Sequence, residues 1–67
     1  MIHAFTDEMA LVERKADGRR FTVTWFAETL RITPKAAAYK IKTWQEEGWL
    51  IEERLAGTLN KKTWRFI

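Results

Sequence analysis

Between residues 22 and 50 apolar positions recur every three to four residues, in two short runs separated by Ile32-Thr33-Pro34. That period predicts amphipathic helices rather than strands. Thr33 suits an N-cap, because its hydroxyl can accept from an otherwise unpaired N–H of the first turn. Pro34 then takes the first helical position, where a missing N–H does no harm. Nothing interrupts the run from Lys35 to Glu47, and Gly48 fits a left-handed stop, so a helix is expected over about 34–47. At 100° per residue, Ala37, Ile41 and Trp44 fall within about 60° of one another, with Lys35, Tyr39 and Lys42 opposite. Upstream, Thr24 is read as the cap of a shorter helix whose inner side carries Phe26, Ala27 and Leu30, with Ile32 in the turn. Helices so closely joined must cross steeply, and small residues at 27 and 37 let their backbones approach.

The flanks repeat the same logic. Thr6 reads as an N-cap, with Asp7 and Glu8 suited to a helix N-terminus. The helix should run to about Ala16, with Met9, Val12 and Ala16 on its core side and Leu11 beside them, and end at Asp17-Gly18. Phe21 and Val23 alternate with polar neighbours, which predicts a brief third strand near 21–23. Trp25 is expected in the core or at its boundary. After Gly48, Trp49 to Leu55 reads as a strand, Ala56 to Lys61 as a turn and Lys62 to Ile67 as a returning strand. In the latter, Trp64 and Phe66 alternate with Thr63 and Arg65, the period of a half-buried strand. Met1 to Phe5 is a short apolar arm, strand-like or packed over the first helix. The expected fold class is α+β: a three-helix core with a C-terminal two-stranded β-hairpin, one domain over 1–67.

The stretch FAETLRITPKAAAYKIKTWQEEGWL resembles the helix-turn-helix core of bacterial and archaeal winged helix regulators, including the MarR-like type. Phe26, Ala27, Leu30, Ile32, Thr33, Ala37, Ile41, Trp44, Gly48, Trp49 and Leu50 occupy the positions of that pattern, over about 25 residues. The following strand-turn-strand extends the likeness to almost the whole chain and implies that the hairpin is the wing. The MarR-like pattern usually has Ser and Thr early in the recognition helix and an Asp/Arg-rich wing. Here an Ala triplet and a Gly-Thr-Leu-Asn tip before two lysines stand instead, which implies sparse direct base readout.

Composition bounds the alternatives. The 67 residues contain no cysteine, so neither disulfides nor thiolate zinc can support so small a core. Nine aromatics, four of them Trp, must hold it together. The formal charge of +3 is unevenly spread. Residues 18–45 carry six cations against one acid, residues 46–53 four acids and residues 54–67 four cations. Positive charge therefore gathers in the expected recognition segment and the hairpin, the footprint of a nucleic-acid binder. No apolar run approaches the ~18–20 residues of a membrane span, so no membrane partner and a cytoplasmic, nucleoid-associated location are expected.

Double-stranded DNA is the expected partner and transcription regulation the expected role. The recognition helix would enter the major groove. The candidate contacts are Thr33, Lys35, Tyr39, Lys42 and Thr43 on the helix, Lys61 and Lys62 on the wing, and Arg19 and Arg20 before the second helix. Ala36 and Ala38 would permit close approach. A homodimer or a larger protein complex stays open. The alternative is a winged-helix protein-interaction module without DNA binding, which Trp25 or Trp49 exposed in an apolar patch would favour. Single-strand binding is less favoured, because the aromatics fall at core-facing positions. With one histidine, His3, and no phosphate-cradling glycine loop, no enzymatic activity, no cofactor and no metal are expected.

Overall fold

The computed structural model describes residues 6–54 and 61–67. The expected arm at 1–5 with His3, and most of the hairpin turn, lie outside the described residues. Three helices, α1 (Asp7–Ala16), α2 (Val23–Leu30) and α3 (Pro34–Glu46), precede an antiparallel hairpin of β1 (Leu50–Arg54) and β2 (Lys62–Phe66). This is an α+β arrangement consistent with a winged helix.

Each helix starts on a threonine in extended conformation. Thr6, Thr22 and Thr33 accept from the backbone N–H three residues on, at 3.1, 3.2 and 3.2 Å. The cap of α2 is therefore Thr22, not Thr24, which is exposed within the first turn. The reason lies one residue upstream. Phe21 exchanges two backbone hydrogen bonds with Trp64 (2.8 and 2.9 Å), so the chain is extended at Phe21 and turns helical directly after Thr22. The expected strand near 21–23 shrinks to this single bridge, and Val23 opens α2 instead. At the far end of α3 the cap is Glu47, and Gly48 follows at φ +91°.

The left-handed residues ending α1 and α2 are Asp17 (φ 51°) and Arg31 (φ 56°). Aspartate tolerates this conformation through its short polar side chain; arginine has no such compensation. Arg31→Gly should therefore stabilise the fold by about 0.5–1 kcal/mol, the relief of Cβ crowding less the added chain entropy, read from urea denaturation.

Four aromatic rings from four segments close a loop at the centre of the core. Phe21 stacks on Phe26 of α2 (centroids 5.8 Å), which meets Trp44 of α3 edge-on (5.2 Å). Trp44 reaches Phe66 of β2 (6.3 Å), and Phe66 returns to Phe21 (6.2 Å). Ala27 and Ala37 are buried in the same core, as close helix packing requires. α1 adds Met9, Val12 and Ala16, and its Glu8 takes Lys40 of α3 in an ion pair at 2.9 Å.

An isolated hairpin is marginal in water, so its docking matters. The Nε1–H of Trp64 donates to Oε1 of Gln45 on α3 at 3.1 Å, and Ile67 N–H donates to Trp49 O at 3.1 Å to extend the ladder. The expected alternation along β2 fails at Thr63, which is only 3 % exposed. Thr63 stands opposite Glu53, on the face where Arg20 and Arg65 gather around that carboxylate. The Thr63 hydroxyl is satisfied by donating to Glu53 O at 2.6 Å.

Candidate nucleic-acid interface

The outward face of α3 follows from its buried one. With Ala37, Ile41 and Trp44 in the core, Lys35, Tyr39 and Lys42 are all exposed, Tyr39 at 75 %. Lys42 stands seven positions after Lys35, roughly 10 Å along the axis. The first turn of α3 holds no acid, unlike that of α1 with Asp7 and Glu8. Lys35 thus sits where the helix already presents positive partial charge, a placement that does nothing for stability. Helical spacing alone could have found one further member of this face. Glu46 lies four residues beyond Lys42 and is exposed, so the positive stretch covers only the first turns.

The two threonines differ in what they can offer. Thr33 accepts from Ala36 N–H, which leaves its own proton for an outside acceptor such as a phosphate oxygen. Thr43 donates to Tyr39 O at 3.0 Å, so towards a ligand it can only accept. That suits a base amino group and not a phosphate.

The pleat decides where the wing cations point. Leu50, Glu52 and Arg54 stand opposite Phe66, Trp64 and Lys62 on one face of the hairpin, the face from which Trp64 reaches α3. Lys62 and Arg54 therefore leave the hairpin on the α3 side, and both are exposed, as is Lys61. They also oppose each other directly, a like-charge pairing that destabilises a bare sheet.

Arg19 and Arg20 do not join this group. Arg20 emerges on the other face of the sheet and pairs with Glu53, Nε to Oε1 at 3.4 Å and Nη2 to Oε2 at 3.5 Å. Glu53 also accepts from Nε of Arg65. Arg19 is exposed beside them. Hydrogen bonds from the Arg65 guanidinium, and after it Arg20, hold the Glu53 carboxyl below its ordinary value against the opposing effect of desolvation. A depressed folded value means that the clamp contributes fully at neutral pH and is lost as pH falls through the acidic carboxylate range. Glu53→Gln should lower the melting temperature at pH 7, and the difference from the parent should shrink on acidification. Melting curves from pH 7 down to 3 check this. The hairpin pairing brings Arg65 to Glu53, and the Phe21 bridge brings Arg20, which is 33 residues away from it in sequence.

Among the described residues no group of His, Asp and Glu could hold a metal ion, and no helix is long and apolar enough to cross a membrane. Compared with protein-family models, curated proteins and solved structures, the chain matches none.

Proposed function

We propose that this chain binds double-stranded DNA as a winged helix transcription regulator, with α3 in the major groove and the hairpin cations on the backbone. What supports the reading is that exposed cations occur on both elements a winged helix uses: Lys35 and Lys42 with Tyr39 on the outer face of α3, and Lys61, Lys62 and Arg54 on the hairpin docked against α3. Two of these features are unfavourable in the free protein. Lys35 stands at a helix N-terminus, and Arg54 opposes Lys62. An anionic partner relieves both. The likeness of residues 26–50 to winged helix regulators supports the same reading. In it, Thr33 and the lysines hold phosphates and set register, while Tyr39 and Thr43 address base edges, with Ala36 and Ala38 allowing close approach. We assign its work to the cytoplasm, on the nucleoid when bound.

A protein-interaction module would use the same outer face. Its discriminating feature, an exposed tryptophan patch, is not favoured, because Trp25 and Trp49 are half-buried against the core. A salt series of duplex binding tests the DNA reading. Neutralising about four phosphates gives log Kobs against log salt a slope of about −3 to −4. Absence of duplex binding, or a flat slope, would exclude it.

A further inference from the structure

On the sheet face turned away from α3, cations gather around a single carboxylate. The Phe21 ring lies in the core, so Arg20 beside it projects from the opposite face, where Arg65 also emerges. Gly18, Arg19, Arg20 and Arg65 line an open concavity of about 550 Å³. A smaller one of about 110 Å³ shares Arg19 and Arg20 and is lined also by Lys15, Ala16, Phe21 and Trp25. Gly18 is left-handed at φ +74°, and a Cβ there would meet nothing within 4 Å, so the mouth is uncrowded.

Four cations therefore border this surface, and Glu53 is shared between two of them at distances of 3.4 Å or more from Arg20. Arg19 and Lys15 form no ion pair with a described residue. Guanidinium groups present planar N–H forks that match phosphate oxygens two at a time. A phosphate has more acceptor oxygens and more charge than one carboxylate, so it can engage Arg19 as well as the pair that Glu53 now holds.

We propose that this cleft is a phosphate-binding site, with Arg19, Arg20 and Arg65 as donors, Lys15 as a further charge at its rim, and Glu53 as an internal competitor. The site is separate from the α3 face and does not depend on it. Its phosphate could come from the backbone of a second duplex or from a free phosphorylated ligand.

The test is an NMR titration of the full chain with inorganic phosphate at constant ionic strength, following the arginine Nε–H signals. Saturable shifts are expected at Arg19, Arg20 and Arg65 but not at Arg31. Arg19→Ala breaks no ion pair with a described residue and should weaken phosphate binding about tenfold. Glu53→Gln should strengthen it, since it frees two guanidiniums. Circular dichroism checks that both variants are folded. Equal shifts from chloride at the same ionic strength, or parent-like binding by Arg19→Ala, would overturn the proposal. The source is read from energy transfer between two labelled duplexes. Pairing of duplexes by the parent but not by Arg19→Ala assigns the site to a second duplex; phosphate saturation without pairing assigns it to a free ligand. Lys35→Ala keeps the test independent, because it should weaken groove binding and leave the phosphate titration unchanged.

Discussion

Trp44→Ala should unfold a large share of the molecule at room temperature. Trp44 is 6 % exposed and takes part in two of the four ring pairs of the central aromatic loop, with Phe26 at 5.2 Å and Phe66 at 6.3 Å. Truncating a buried aromatic to alanine removes about 3–5 kcal/mol, through forfeited transfer energy and the cavity left behind. A domain of this size has a total stability of roughly 3–10 kcal/mol by the usual per-residue scale. The loss is therefore comparable with everything the fold has. It also removes the ring contact between α3 and Phe66 of β2, one of the links that hold the hairpin on α3 beside the Trp64–Gln45 hydrogen bond. Urea denaturation followed by far-ultraviolet circular dichroism reads the effect. A midpoint close to that of the parent would mean that the aromatic loop is not what supports the fold.

Replacing Lys35 and Lys42 together by alanine should do the opposite: keep the fold and lose the duplex. Both side chains are exposed and form no ion pair with a described residue. Surface changes of this kind stay within about 0.5 kcal/mol of the parent stability. Lys35→Ala should even help slightly, by removing a cation from a helix N-terminus. Duplex affinity should fall roughly tenfold or more, and the salt slope should become shallower by about 2, one for each phosphate no longer neutralised. The weakening should be similar for unrelated duplexes, since phosphate contacts carry no sequence information. Parent-like affinity in the double variant would remove α3 from the interface.

The helical pattern was legible because its signals are local. Thr6 and Thr33 as caps, Pro34 at the first position, and the buried sets Met9, Val12, Ala16 and Ala37, Ile41, Trp44 all follow from spacing within one turn or two. The hairpin was legible for the same reason, from the turn residues between two apolar runs. What failed depended on distant partners. Thr22 and Thr24 are equivalent as caps until Phe21 is pinned to Trp64. Thr63 looks solvent-facing until its cross-strand partner Glu53 gathers Arg20 and Arg65 on the same face. Arg20 looks like another cation for the α3 side until the same bridge turns it to the opposite face, onto Glu53. Within the candidate site, Lys35, Tyr39 and Lys42 share a face as the period requires. Glu46 was missed although the same period predicts it. That the hairpin docks on α3 through Trp64 and Gln45 is supplied by no spacing rule.

The most direct measurement is a backbone-amide NMR titration of the folded chain with a duplex of about 15 base pairs. Perturbations should concentrate at 33–43 and at 54 and 61–62, with α1 little affected, if α3 and the hairpin form the DNA interface. Perturbations spread evenly over the surface, or confined to the Arg19–Arg20–Arg65 face with α3 unmoved, would contradict it.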